Sequence, residues 1–304
     1  MNIRFFTPSE KFYEVSTQIV KWNTFMKSFQ ESNKIDYMEI RKNAAKLAAS
    51  FENNQCGEFI GQDDLILEEI KSPCKTSLKL IYIHGGGFVA GSLDNHRPFV
   101  KKMATFLKAD VIMFDYPLAP ENPFPAAVEK AIEAILHVID QYPDSSIGLI
   151  GDSAGANICL STLMMMRDQN LKLPDSGIFL SGFFDLTLTS DSIIRNKEFD
   201  IVLTKELLEE STLLYSNGKN LDDQYLSPLY GNFKTLPPLF FQVGASEILL
   251  DDSIITHLKA LKAGVNSHIS IWPEMMHSFQ SYSSLPEADI ALQEIRSFID
   301  MLET

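Results

Sequence analysis

The chain carries only three cysteines in 304 residues, Cys56, Cys74 and Cys159. Their number is odd, their spacing is wide and no CxxC occurs, which argues against a disulfide scaffold or a cysteine-based zinc site and for reduced thiols. Basic residues are also scarce. Lys and Arg number 26 against 40 Asp and Glu, a net charge of −14. Nucleic acid and anionic lipid require clustered positive charge, so neither is an expected partner. No run of about 18 uncharged apolar residues is present to cross a membrane. The opening MNIRFFTPSEKFYEV has no basic segment followed by an apolar one. A secretory leader is therefore not expected, and a cytoplasmic location is.

What is present is an ordinary globular composition, 45% hydrophobic and 22% charged. That is enough apolar material for a large core and excludes global disorder. The first 55 residues read as helical. Phe12, Val15, Ile19, Trp22, Met26 and Phe29 recur at steps of three and four, and Tyr37, Ile40, Ala44, Leu47 and Phe51 form a second such face. Asp36 with Glu39 resembles a capping box at the start of the second helix.

From about residue 58 the pattern becomes short apolar runs alternating with helical stretches. The runs are 78–84, 110–116, 146–152, 177–183, 238–244 and 267–272. Continuous apolar runs suit strands buried on both faces of a parallel sheet. Helices are expected near 96–108, 125–141, 154–167, 251–263 and 287–302. The alternation predicts right-handed βαβ units and an open, doubly wound α/β sheet, whose ligands bind at the carboxyl ends of the strands. More than 50 residues separate the runs at 177–183 and 238–244, with a helical stretch near 204–215 capped by Thr204. This insertion and the N-terminal helices carry apolar faces that need a partner, and are read together as a lid over the carboxyl edge.

Gly151-Asp152-Ser153-Ala154-Gly155 lies between a strand and a helix, the context of a nucleophile elbow. Such a turn leaves no room for side chains two residues either side of the nucleophile. It lifts the Ser153 hydroxyl above the sheet at a helix N-terminus, where negative charge is favoured. His84-Gly85-Gly86-Gly87 ends an earlier strand and frees backbone N–H groups to face a substrate oxygen. A phosphate loop fits poorly, because neither GxxxxGK[ST] nor a GxGxxG helix start follows. His84 is read as fixing the glycine loop through its imidazole.

A serine nucleophile needs a base, and the base an orienting carboxylate, in the chain order Ser, Asp or Glu, His. Downstream of Ser153 the histidines are His257 in a helical run, His268 at a strand start and His277 in a loop after the last strand. His277 is the best placed. Glu247 is the first carboxylate after the 238–244 run, with Asp251 as the alternative. Asp251 and Asp252 are expected in a first helical turn as cap and dipole partners.

These segments together resemble the hormone-sensitive-lipase-like family of α/β hydrolases. They are HGGGF at 84–88, DYPLAPENPFPAAVE at 115–129, GDSAG at 151–155, SGFFDLT at 181–187, LSPLYGNFKTLPPLFFQVGASEILLDD at 226–252 and IWPEMMHSFQ at 271–280. The likeness covers roughly residues 58–300. It implies an α/β-hydrolase core over 56–304, with a mobile helical cap built from 1–55 and the insertion 186–225. It implies an oxyanion hole from the N–H groups of Gly86, Gly87 and Ala154, with His84 and Asp152 in support. Two positions depart from the family pattern: Pro117 where Arg is frequent, and Glu247 where many members have Asp.

The expected activity is hydrolysis of small, neutral, short-chain acyl esters by Ser153, His277 and Glu247, with no metal or organic cofactor. Lactone, amide or thioester hydrolysis uses the same triad and stays open, as does a non-catalytic receptor. Phe88, Phe183 and Phe184 are candidate acyl-pocket residues. A monomer or homodimer is expected.

Overall fold

The structure is a computed structural model that describes residues 2–3, 7–28, 37–49, 54–62 and 64–303. Phe29, Asp36 and Phe51 fall outside the described residues, as do the side chains of Trp22, Met26 and Leu47. Among the described residues one sheet of nine strands forms the centre. Its strands are β1 (Asn2–Ile3), β2 (Glu58–Phe59), β3 (Leu67–Ile70), β4 (Leu78–Ile83), β5 (Asp110–Phe114), β6 (Ser146–Asp152), β7 (Ser176–Leu180), β8 (Leu239–Gly244) and β9 (Ser267–Trp272). They lie in the order β1-β9-β8-β7-β6-β4-β5-β3-β2. From β1 to β5 every pairing is parallel, and β3 and β2 close the far edge antiparallel.

The helices are α1 (Glu10–Ser28), α2 (Tyr37–Ala49), α3 (Leu93–Phe106), α4 (Ala126–Gln141), α5 (Ala154–Asp168), α6 (Ser192–Arg195), α7 (Lys205–Ser216), α8 (Leu250–Lys262) and α9 (Pro286–Leu302). α3 and α9 bury apolar faces against one side of the sheet, and α4, α5 and α8 cover the other. The continuous apolar runs thus fill two layers of core, as strands covered on both faces require. The chain winds outward from β4 to β5, then crosses to β6 on the other side of β4. The direction of winding reverses between β4 and β6, which opens a crevice outside their carboxyl ends.

The structure departs from the sequence pattern in the edge strands β1, β2 and β3, at the end of β7 and at the start of α8. β3 carries no strand signal in the sequence, because its buried residues include the adjacent Glu68 and Glu69. Each is neutralised: Arg97 of α3 grips Glu68 in a two-pronged contact at 2.7 and 2.8 Å, and Lys79 Nζ lies 2.9 Å from Glu69. The strand expected over 177–183 ends at Leu180, since Ser181 turns to φ 50°. Asp251 and Asp252 do lie in the first turn of α8, but neither caps it. Their carboxylates reach away from the helix to the segment 184–195.

The two helices at the N-terminus dock at different points around the carboxyl edge. Phe12 and Val15 of α1 pack with Trp272, Met275, Met276 and Phe279, the loop that carries His277. Arg41 of α2 donates to the carbonyls of Val89 and Ala119 and pairs with Glu121. The insertion carries the short α6 and the longer α7, with Thr204 accepting from the N–H of Leu207 at the start of α7. Its Tyr215 stacks on Phe88, the residue after the glycine loop, at 3.8 Å between ring centroids. Cys56 and Cys74 are exposed and Cys159 is buried, with no disulfide between them. No helix among the described residues is long and apolar enough to cross a membrane.

Candidate active site

Ser153 stands at the tip of β6, immediately before α5. Its backbone has φ 53° and ψ −121°, a conformation that costs a non-glycine residue about 1–3 kcal/mol. The turn is held by the N–H of Ser153, which donates to Leu180 O at 2.9 Å. Gly155 is required by close approach, because a Cβ there would lie 2.1 Å from Ile83 O. The buried sheet supports the strained turn, and the turn in exchange presents Ser153 at the mouth of the β4–β6 crevice.

The loop after β4 supplies the second wall. Gly86 and Gly87 take φ values of 121° and 61°, backbone conformations that residues with a Cβ rarely adopt. Among the described residues none accepts a hydrogen bond from the N–H groups of Gly86, Gly87 or Ala154. His84 is buried and stacked between Tyr116 and His96, with centroids at 4.3 and 5.0 Å. Its Nδ1 lies 2.7 Å from the carbonyl oxygen of Gly85, which fixes Nδ1 as the protonated nitrogen. Burial, with His96 beside it, pushes the His84 pKa down to about 3, so its imidazole is neutral. Asp152 accepts from Tyr82 Oη at 2.6 Å and from the N–H of Gly85 at 2.8 Å. It ties the elbow to the glycine loop.

The third wall comes from the ends of β8 and β9. Glu247 Oε2 lies 2.8 Å from His277 Nδ1, and both side chains are buried. Glu247 Oε1 accepts from the N–H of Gly244 at 2.6 Å and from Ser181 Oγ at 2.7 Å. Burial opposes the charged form of His277, but the hydrogen bond and charge of Glu247, with Asp200 and Asp152 further off, outweigh it. The net effect raises the pKa above the ordinary imidazole value. Ser278 Oγ reaches Asp152 Oδ2 at 3.4 Å, so the residues flanking Ser153 and His277 meet.

The other candidates lie apart from this cluster. His257 is turned to Ser267 Oγ and His268 to Asn266. Asp251 pairs with Arg195 and accepts from the N–H of Ser192. Phe184 packs beneath the sheet edge on Phe179 and Phe241, whereas Phe88, Phe183 and Tyr215 cluster beside the glycine loop. The His/Cys/Asp/Glu side chains among the described residues form no group suited to a metal ion.

The sequence reading missed the fastening of the Glu247 loop. Asn196 Nδ2 donates to the carbonyls of Ala245 and Glu247, at 2.9 and 2.7 Å. Asp200 accepts from the N–H of Ile248, and Ser192 Oγ donates to Ile248 O. Asp252 is buried and accepts from the N–H groups of Phe184 and Asp185 and from Ser190 Oγ. Burial pushes its carboxyl up to about 7, with the charge of Asp185 adding to the effect against the bond from Ser190. Spacing carried no signal for these contacts, because they join residues about 50 to 70 positions apart.

This arrangement recurs in known proteins. A family model described as an alpha/beta hydrolase fold matches residues 80–281. An esterase of Acinetobacter venetianus is 36% identical over 239 residues, covering 78% of this chain and 79% of its own length. An acetyl-hydrolase of Streptomyces hygroscopicus is 35% identical over 245 residues, covering 80% of this chain and 82% of its own. The crystal structure of an esterase from the bacterial hormone-sensitive lipase family superposes with a TM-score of 0.87 at 31% identity, covering 96% of this chain and 98% of that one. Matched across its core and carrying the elbow and glycine loop in their expected places, the chain belongs to the α/β-hydrolase family, in its hormone-sensitive-lipase-like branch.

Proposed function

We propose that the protein is a carboxylic ester hydrolase in which Ser153 is the nucleophile, His277 the general base and acid, and Glu247 the orienting carboxylate. The observation that carries this reading is the buried 2.8 Å contact of Glu247 with His277 Nδ1, at the carboxyl edge where Ser153 sits in its strained turn. Relatives named esterase and acetyl-hydrolase support the reaction class.

Glu247 holds the proton on His277 Nδ1 and leaves Nε2 as the base. Ser153 Oγ attacks the ester carbonyl as His277 takes its proton. The carbonyl oxygen gains charge and is held by the N–H groups of Gly86, Gly87 and Ala154. Losing one such donor typically costs ~10²–10³ in rate. The alkoxide leaves with the proton from His277, and an acyl group stays on Ser153 Oγ. Water, deprotonated by His277, then cleaves the acyl-enzyme and restores the serine.

The N-terminal helices and the insertion 186–225 form the cap over this site. The reading is supported by α1 on the His277 loop, α2 on the glycine loop, and α7 stacked on Phe88. A cap closed over the site leaves room for short acyl chains. A net charge of −14 disfavours anionic substrates at long range.

The test combines an organophosphonate label with a series of p-nitrophenyl esters. Stoichiometric labelling of the native protein and none of Ser153→Ala is expected, with turnover highest at two to four acyl carbons. Labelling that survives Ser153→Ala refutes the nucleophile. A preference for chains above about ten carbons refutes the short-chain pocket. Faster turnover of matched lactones or anilides than of esters moves the reaction class.

A further inference from the structure

We propose that Ser181 is a positioning residue for this reaction, its hydroxyl holding Glu247 and His277 in their working relation. The inference rests on the Ser153–His277–Glu247 reading. Ser181 follows β7 directly and is wholly buried. Its N–H donates to Gln242 O of β8 at 2.8 Å, which anchors its backbone to the neighbouring strand. Its hydroxyl makes two contacts, one with Glu247 Oε1 at 2.7 Å and one with the backbone N–H of Ser278 at 3.0 Å. One residue therefore joins the ends of β7, β8 and β9.

Proton counting fixes the direction of both bonds. A serine hydroxyl carries one proton and two lone pairs. The Ser278 N–H can only donate, so the hydroxyl accepts there and spends its single proton on Glu247. Oε1 then has two donors, Ser181 and the Gly244 N–H, and Oε2 faces His277 Nδ1. A glutamate has one more rotatable bond than an aspartate, so pinning Oε1 from two sides removes the freedom that the extra methylene introduces. Through Ser278 the same hydroxyl holds the backbone next to His277. Acid and base are thus referenced to one atom.

The backbone of Ser181 supports a role beyond packing. Its φ of 50° lies in the left-handed region, where glycine is at ease and a residue with a Cβ is strained. A serine there keeps its hydroxyl at a conformational cost. Ser181→Gly removes the hydroxyl and relieves the strain, and Ser181→Ala removes the hydroxyl and keeps it.

The experiment is steady-state kinetics and thermal unfolding of Ser181→Ala and Ser181→Gly, alone and with Glu247→Ala. Both single variants are expected to lose about 10- to 100-fold in kcat with KM within about twofold, the scale of a misplaced catalytic group. Ser181→Gly is expected to unfold at or above the temperature of Ser181→Ala while being no faster. The acid limb of kcat/KM is expected to move to higher pH, because Glu247 keeps more negative charge for His277 once a donor is gone. Asp200 and Asp152, the other acids acting on His277, are untouched by the change. With Glu247→Ala in place, either Ser181 change is expected to cost much less than it does alone, since only the contact with the Ser278 N–H is left to lose. Native kcat in both single variants overturns the proposal. So does an unchanged loss in the Glu247→Ala background, and that result leaves the triad intact. Full activity of Glu247→Ala itself removes the triad reading and this inference with it.

Discussion

At the antiparallel edge of the sheet, Glu68 and Glu69 are buried against Arg97, Lys79 and Lys71. At the carboxyl edge, Asp152, Asp200, Glu247 and Asp252 are buried too, but neutral donors satisfy them: backbone N–H groups, Tyr82, Ser181 and Ser190. Among the described residues none of these four pairs with Lys or Arg. Burial opposes ionisation of Glu69, yet hydrogen bonds from Lys71, Lys79 and Tyr142 outweigh it and hold the carboxyl below its usual range. Among the described residues no Lys or Arg pairs with these acids, and the field of Glu247, Asp200 and Asp152 falls on His277. His277 is raised, and Asp252 is pushed up to about 7. Glu69, bound by cations, has its charge matched where it stands. Glu247, bound by neutral donors, keeps its charge available to His277.

The largest test of this contrast is Glu247→Gln. The amide oxygen can still accept from Ser181 and Gly244, so the loop should stay folded. The amide nitrogen would then face His277 Nδ1 and stabilise the wrong tautomer. A loss of ~10³–10⁴ in kcat is expected, with unfolding temperature changed by only a few degrees. A loss below tenfold, measured with a short-chain p-nitrophenyl ester, would break the comparison at the site end.

The pH profile comes next. His277 must be neutral to accept the Ser153 proton, and its pKa is raised. The acid limb of kcat/KM should therefore have its midpoint above ~6.5, the ordinary imidazole value, and fall about tenfold per pH unit below it. Stability runs the other way for the same group. A raised folded pKa means that protonated His277 favours the folded state, so its contribution is full below the unfolded pKa and is lost as pH rises through the folded one. A limb centred below 6 would show that the neighbouring acids do not act on His277.

At the other end of the sheet, Arg97→Met should reverse the pattern. It leaves Glu68 buried with only the N–H of Gly57 as a polar partner. Breaking a buried pair from one side costs about 3–5 kcal/mol, on the order of 10 °C in unfolding temperature for a chain of this size. Activity per folded molecule at 25 °C should stay within about twofold of native. A specific loss of kcat would show that the two regions are coupled.

The same contrast explains how far the sequence could be read. The strands β4 to β8 stood out as short, mainly apolar runs and β9 by its Ile and Trp between polar ends, and the elbow because Gly151 and Gly155 bracket Ser153 at a strand–helix junction. β3 did not, since Glu68 and Glu69 are polar in the chain and become buried only when Arg97 and Lys79 arrive from α3 and β4. Glu247 could be chosen by its place after a strand. Ser181 could not, because one serine at a strand end has no spacing to notice, and its partners lie 66 and 97 residues away. From sequence alone the acids in the first turn of α8 read as cap and dipole partners, the usual uses of Asp there. In the fold the segment 184–195 passes close enough to claim both carboxylates.

The smallest predicted effect concerns one of those acids. Asp252 sits among neutral donors with negative Asp185 nearby, and its folded pKa of about 7 is far above the ordinary aspartate value. The folded state thus binds a proton that the unfolded chain has released, and stability attributable to this group falls as pH rises from about 4 to about 7. Asp252→Asn keeps one oxygen to accept from the N–H groups of Phe184 and Asp185, and its amide can donate to Ser190 Oγ. The substitution removes the charge and reverses the bond with Ser190, as protonation of the carboxyl also can, so it should matter little at pH 5 and raise the unfolding temperature by a few degrees at pH 8. A variant less stable than native at pH 8 would mean that the ionised carboxylate is worth more to the 184–190 turn than its burial costs. The carboxyl edge would then tolerate buried charge without cations better than the contrast with Glu69 implies.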